Sequence, residues 1–112
     1  MNEFPNFITQ QKFDWLKNQS AMSLDFYIPD KNIAIECQGE QHFLISATSW
    51  YGEDFEKQKD IMHRDILKYQ QCKEHNIEII YYFPEEFLNY DVDFYKDKKC
   101  FHTINDLKNF LT

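Results

Sequence analysis

The chain has 112 residues, the length of a single domain. Its formal net charge of −7 disfavours binding to nucleic acid by bulk electrostatic attraction, but leaves open an enzyme that meets phosphate through a metal ion and a local basic patch. Three widely spaced cysteines fit neither a disulfide framework nor a zinc motif, and no apolar run approaches the roughly 18 residues of a membrane span. We therefore expect one reduced, cytoplasmic domain without a membrane-spanning segment.

The N-terminal third of the chain has the pattern of three strands. Weak alternation over residues 7–14 predicts a short first strand. Two alternating apolar runs, 24–28 and 32–38, lie on either side of Pro29, which cannot donate to a strand ladder. These runs predict an antiparallel hairpin.

A turn centred between positions 30 and 31 sets the register of this hairpin. It pairs Leu24 with Cys37, Asp25 with Glu36, Phe26 with Ile35, Tyr27 with Ala34 and Ile28 with Ile33. One face is then apolar, so Leu24 and Cys37 should be buried together, Cys37 as a structural thiol. A slip by one residue would move both acids into the core, so the pattern itself specifies the register.

The other face of the hairpin places Asp25 opposite Glu36. Opposed side chains on an antiparallel pair have Cβ atoms about 4.5–5.5 Å apart, so two carboxylates there repel unless one is protonated or a cation lies between them. A hard divalent cation held by one or two carboxylates and water resolves the conflict. We predict an Mg²⁺ site with Asp25 and Glu36 as ligands and Mn²⁺ as a substitute. The alternative is a solvent-facing sheet surface that happens to carry polar residues.

The middle of the chain predicts a strand–helix–strand crossover. After an irregular loop at 43–52, residues 53–75 contain no Pro or Gly and predict one long helix, with Asn76 as its C-terminal cap. The helical stripe expected to face the core consists of Phe55, Met62, Ile66 and Tyr69. Residues 77–83 are nearly all apolar and predict a buried strand parallel to the hairpin, joined by a right-handed crossover.

The C-terminal part contains one clear element. Residues 85–100 are acidic and aromatic and show no periodicity. Thr103 has the character of an N-cap, with Asp106 three residues on. The helix that follows should present Ile104, Leu107, Phe110 and Leu111 on one face.

Polar side chains follow the second acid along the chain. Gln38 lies two residues after Glu36, on the same strand face, and is a candidate to position water or phosphate. His42 is a candidate general acid or base, and Gln41 is a candidate to align substrate. An isolated histidine is more often a surface or packing residue, so this assignment depends on the neighbouring acids.

A charged cluster lies on the long helix. Arg64, Asp65 and Lys68 share one helix face at i,i+3 and i,i+4 spacing. The crossover lays this helix along the sheet, so these residues are expected to overhang the acids. Arg64 is then a candidate to bind the substrate, Lys68 to stabilise a transition-state phosphate, and Asp65 to hold that phosphate or a water. The alternative is an ordinary solvated helix face with a surface ion pair, worth little.

These residues together resemble a known family. The segments that carry the resemblance are 24–29 (Leu-Asp-Phe-Tyr-Ile-Pro), 33–43 (Ile-Ala-Ile-Glu-Cys-Gln-Gly-Glu-Gln-His-Phe), 51–55 (Tyr-Gly-Glu-Asp-Phe), 64–68 (Arg-Asp-Ile-Leu-Lys) and 77–80 (Ile-Glu-Ile-Ile). They resemble the restriction-endonuclease-like, PD-(D/E)xK fold, and in particular the branch of very-short-patch repair endonucleases and related phage homing endonucleases. The resemblance spans about residues 10–82.

The resemblance implies an α/β (α+β, mixed-sheet) domain that cleaves DNA phosphodiester bonds with Mg²⁺, in a bacterial or phage setting. Asp25 and Glu36 then match the metal-binding acids, and His42 and Asp65 match the downstream catalytic pair. Gln38 stands where the wider superfamily has lysine, so Lys68 or His42 would supply the charge. The chain also starts near the first strand, where family members have a preceding helix, so a homodimer or a longer chain would supply that element.

Two other functions fit the same sequence. One is a non-catalytic interaction module that keeps the fold. The other is a regulatory partner protein whose acidic surface mimics nucleic acid.

Overall fold

The computed structural model describes residues 6–39, 53–89 and 93–112. The strands are β1 (Ile8–Asn18), β2 (Ser20–Ile28), β3 (Ile33–Cys37), β4 (Glu78–Tyr82) and β5 (Cys100–Phe101); the helices are α1 (Glu53–Glu74) and α2 (Ile104–Leu111). One sheet has the order β1-β2-β3-β4-β5, antiparallel from β1 to β3 and parallel from β3 to β5. This arrangement confirms an α+β fold with a mixed sheet. It also confirms the strand hairpin, the helical connection between parallel strands and the C-terminal helix.

The hairpin has the predicted register near its turn. Phe26 pairs with Ile35, Tyr27 with Ala34 and Ile28 with Ile33. Because Pro29 ends β2 and a left-handed Asn32 (φ 57°) precedes β3, the chain reverses tightly between them.

The first strand is longer than the sequence pattern predicts. Its pairing with β2 shifts between Lys12 and Lys17, and the chain then reverses at Gln19 (φ 65°). Beyond the shift β1 pairs with β2 again at Lys17 and Asn18, and the segment also contacts the C-terminal end of α1. The Trp15 ring stacks 3.8 Å from the ring of His75, and the Gln71 amide bonds both the N–H and the carbonyl of Lys17 at 3.1 and 2.9 Å.

The C-terminal end of helix α1 is capped by Asn76, as predicted. This residue has a left-handed backbone (φ 63°), its N–H donates to the Lys73 carbonyl at 3.1 Å, and the N–H of Ile77 donates to the Cys72 carbonyl at 2.9 Å. These two bonds form a Schellman motif, which satisfies carbonyls that the last helical turn leaves free. The motif directs the chain into β4.

The two faces of the sheet carry separate cores. The core on the α1 side contains Leu16, Met22, Leu24, Ala34, Cys72, Ile77, Ile79, Tyr81, Phe83 and Tyr95. The core on the α2 side contains Ile28, Ile33, Ile35, Ile80 and Leu111. Leu24 and Cys37 therefore do not share a buried face: Leu24 packs on the α1 side and Cys37 is exposed. That prediction is wrong because β2 changes face at Asp25.

The predicted core-facing stripe of helix α1 is confirmed at Tyr69, is half-buried at Met62 and is wrong at Ile66. Ile66 is 36% exposed, whereas Tyr69 packs against the α1-side core and Cys72 lies within it. Asp65 and Lys68 are half-buried instead. The prediction for Ile66 is wrong because the sheet beneath the helix carries Glu36, and the helix turns Lys68 toward that carboxylate. The side chain of Phe55, also in the predicted stripe, lies outside the described part of the chain.

The N-cap predicted for the C-terminal helix α2 is present. Thr103 Oγ1 accepts from the Asp106 N–H at 3.1 Å, which confirms the N-cap of α2. Only part of the expected apolar face is covered, since Leu111 is buried while Ile104 and Phe110 are 56% and 38% exposed. Two short 3₁₀ helices, Glu85–Asn89 and Asp93–Tyr95, occupy the preceding segment. None of the described helices is both long and apolar enough to cross a membrane.

Candidate functional site

The two acids of the hairpin exchange hydrogen bonds with the opposite strand. The Asp25 N–H donates to Glu36 Oε2 at 2.8 Å, and the Cys37 N–H donates to Asp25 Oδ2 at 2.9 Å. Each carboxylate thus accepts a backbone N–H from the neighbouring strand. The acids lie side by side, as predicted, but hydrogen bonds to backbone donors now compensate part of their repulsion.

This exchange coincides with an interruption in the sheet. The pairing of β2 with β3 ends at Phe26, and the position of β1 that would face Asp25 is Gln10, which has a left-handed backbone (φ 53°). Since an extra or distorted residue breaks the two-residue alternation, Leu24 and Phe26 pack on opposite faces. Asp25 therefore lies at a break in the strand, where carboxylates replace ladder carbonyls.

Lys68 reaches this site from helix α1. Its Nζ lies 2.7 Å from Glu36 Oε1, while the Glu36 side chain is 5% and the Lys68 side chain 17% exposed. Burial raises the pKa of Glu36; the ammonium of Lys68 opposes that rise, and the charge of Asp25 adds to it. The structure thus brings together Asp25, Glu36 and Lys68, the arrangement expected from the crossover.

Gln38 lies deeper than its predicted role requires. Its backbone N–H donates to the Tyr82 carbonyl at 2.9 Å, and its Nε2 donates to the hydroxyl of Tyr95 at 2.9 Å. Only 5% of Gln38 and 8% of Tyr95 is exposed. Tyr95 was missed by the sequence reasoning, because it comes from a segment without periodicity, 57 positions away from Gln38.

Asp65 lies on the same side of the sheet. Burial raises the pKa of both Tyr81 and Tyr95, and the charge of Asp65 is the next cause in each case. Its carboxylate is therefore within electrostatic range of the two buried hydroxyls. Arg64, one residue earlier, is exposed, and no described contact joins it to the acids. Gln41 and His42 lie outside the described residues.

The donor set suits a hard cation. Within residues 6–39, 53–89 and 93–112, no group of three or more His, Cys, Asp or Glu side chains is placed to hold a metal. Mg²⁺, however, needs only one or two carboxylates and completes its shell with water. Asp25 Oδ1 accepts no hydrogen bond from the described part of the chain, whereas Glu36 Oε1 accepts from Lys68 and Glu36 Oε2 from the Asp25 N–H. Oxygen donors of this kind are the type that Mg²⁺ or Mn²⁺ binds.

Comparisons with known proteins add no assignment to this geometry. No protein-family model, no curated protein and no solved structure matches the chain.

Proposed function

We propose that the chain is a metal-dependent endonuclease that hydrolyses DNA phosphodiester bonds, built on a restriction-endonuclease-like core. The observation that carries the proposal is the convergence of Asp25, Glu36 and Lys68 at one point of the sheet. Two carboxylates and an ammonium supply both the ligands of a divalent cation and a positive charge for the phosphate. The sequence resemblance supports the same chemistry.

Asp25 and Glu36 would hold Mg²⁺ or Mn²⁺. Bound there, the ion would neutralise charge on the phosphate and lower the pKa of its water. Lys68 supplies the cation that a lysine at position 38 would otherwise provide, because its ammonium already lies 2.7 Å from Glu36 Oε1. Positive charge fixed beside a developing negative charge stabilises a transition state.

Three other residues keep their predicted roles within this proposal. His42 would act as general acid or base, and Gln41 would help to align the substrate. Arg64 is exposed on α1 and would contact the DNA backbone as a point of positive charge on an acidic protein.

The test uses isosteric variants that should remove metal binding and DNA cleavage while the protein stays folded. Asp25→Asn and Glu36→Gln retain an oxygen that accepts the backbone N–H seen in the structure, so we expect both to stay folded. We expect both to lose Mn²⁺ binding in calorimetry and at least about 100-fold of the Mg²⁺-dependent cleavage of supercoiled plasmid. Glu78→Gln, an exposed acid on β4, is the matched control.

A non-catalytic interaction module is the second candidate, and one observation favours it. The backbone N–H groups and Lys68 already give both carboxylates partners, so the polar cluster is explained as a structural feature without any ion. Wild-type protein that neither binds Mn²⁺ nor cuts DNA would select this function. Tight binding of such a protein to a basic partner would favour the acidic mimic of nucleic acid.

A further inference from the structure

A buried tyrosine holds the side chain of Gln38. Tyr95 belongs to the 3₁₀ helix Asp93–Tyr95, and its hydroxyl accepts from Gln38 Nε2 at 2.9 Å. Both residues are more than nine-tenths buried, so water does not compete for this bond. A buried hydrogen bond of this kind fixes a side chain more firmly than an exposed one.

The tyrosine ring is itself immobilised by other aromatic rings. Its centroid lies 5.4 Å from Tyr81, 5.2 Å from Phe83 and 5.0 Å from Phe94, with interplanar angles of 75°, 56° and 82°. Such tilted and edge-to-face contacts favour one ring position over others. The hydroxyl that holds Gln38 is therefore a fixed point of the core.

Gln38 shares a strand face with the acid of the site. Ala34 packs in the α1-side core, Glu36 pairs with Lys68 of α1, and Gln38 bonds Tyr95 of the same core. Alternate residues of β3, and Gln38 directly after it, thus point to one side of the sheet. With Nε2 committed to Tyr95, the end of the amide that can take part in the site is the carbonyl oxygen Oε1.

We propose that Tyr95 is a positioning residue that orients Gln38, so that Oε1 serves as a third oxygen ligand beside Asp25 and Glu36. This inference rests on the proposed metal site. A neutral amide oxygen adds a donor without adding negative charge next to Glu36, and amide carbonyls are suitable ligands for hard cations. Partners that orient a metal ligand typically change metal affinity or activity by about 10–100-fold.

The test is a double-mutant cycle read by Mn²⁺ binding. Tyr95→Phe removes one hydroxyl and keeps the ring, and we expect the Mn²⁺ Kd to rise by about 10-fold or more. Gln38→Ala should raise it at least as much, and Tyr95→Phe should add nothing in the Gln38→Ala background, because it acts through that amide. Tyr82→Phe, on the neighbouring strand, is the matched control and should leave the Kd unchanged.

A second measurement needs no variant. In ¹⁵N-labelled wild-type protein, titration with Mg²⁺ should shift the side-chain amide resonances of Gln38, and it should not shift those of the exposed Gln70 on α1. If Tyr95 had only a structural role, Tyr95→Phe would lower the melting temperature and leave the Mn²⁺ Kd unchanged.

The outcomes separate the two proposals. Wild-type protein that binds neither Mn²⁺ nor Mg²⁺ overturns the metal site, and the inference about Tyr95 falls with it. Wild-type binding with an unchanged Kd in Tyr95→Phe, additive effects in the cycle, or an unshifted Gln38 amide overturns the inference alone. Should Tyr95→Phe fail to fold, the Gln38 titration and the Gln38→Ala Kd decide the question.

Discussion

Replacing Lys68 by methionine tests the central contact of the site. The change removes the ammonium that lies 2.7 Å from Glu36 Oε1 and keeps an unbranched side chain that suits a helix. Glu36 would then be a carboxylate, 4% exposed, that retains the hydrogen bond from the Asp25 N–H. Burial already raises its pKa, and Lys68 is the largest opposing influence. Removing that influence must raise the pKa of Glu36 further.

Two magnitudes bound the cost in free energy of unfolding. Removing one partner of a buried ion pair costs about 3–5 kcal/mol. Protonation sets a ceiling, because holding Glu36 neutral at pH 7 against an unfolded pKa of about 4.3 costs at most about 3.7 kcal/mol. Since Lys68 is 17% exposed and Glu36 keeps its bond to Asp25, we expect a loss of about 2–3 kcal/mol at pH 7.

The same reasoning gives a sign for the pH dependence. In Lys68→Met the native state binds a proton at Glu36 more readily than the unfolded state, so its stability relative to the wild type rises as the pH falls. At pH 5 the protonation ceiling is only about 1 kcal/mol, and the deficit should shrink to that size or less.

Urea unfolding at pH 7 and pH 5, with a chelator present, measures both values. Lys73→Met, an exposed lysine in the last turn of the same helix, is the control and should cost less than about 1 kcal/mol at either pH. A Lys68→Met deficit below about 0.5 kcal/mol at pH 7, or one that grows on acidification, would refute the ion pair as a stabilising contact of Glu36.

Three further predictions concern the contacts that hold the scaffold. Asn76→Ala should cost about 1–2 kcal/mol in urea unfolding, because alanine meets a steric penalty at φ 63°, whereas Asn76→Gly should be neutral or stabilising. Thr103→Ala should cost about 1 kcal/mol through loss of the N-cap of α2, and Thr103→Ser should restore it. Gln71→Ala removes both bonds to the Lys17 backbone, so the Lys17 amide should exchange with solvent at least about tenfold faster, while Gln70→Ala, exposed on the same helix, leaves that rate unchanged.

Part of the fold followed from local pattern alone. Alternation on either side of Pro29 specified the hairpin register as far as Phe26 and Ile35. It did not show that the face carrying Glu36 is buried too, under α1. Asn76 and Thr103 were recognisable as helix caps from residue type and position. These features depend on residues within a few positions of each other.

The features that were missed depend on contacts between distant segments. Leu24 was assigned to the wrong face because the break at Asp25 is made by a carboxylate of the opposite strand. Ile66 was assigned to the core because hydrophobic periodicity predicts only which residues share a helix face. It does not show that the ion pair between Lys68 and Glu36 sets which face of α1 meets the sheet. Tyr95 could not be placed at all, since its partner lies in a separate strand.

The predicted conflict between Asp25 and Glu36 has an unexpected resolution. Two adjacent carboxylates need compensation, and here Lys68 supplies one positive charge while two backbone N–H groups donate hydrogen bonds. The fold therefore does not require a divalent ion for its stability, unlike a structural metal site, where binding and folding are a single process. An ion bound at Asp25 and Glu36 would instead enter a site already assembled from β2, β3 and α1. Asp25 Oδ1 is open to such an ion as the site stands, whereas Glu36 would have to share an oxygen that now accepts from Lys68 or from the Asp25 N–H.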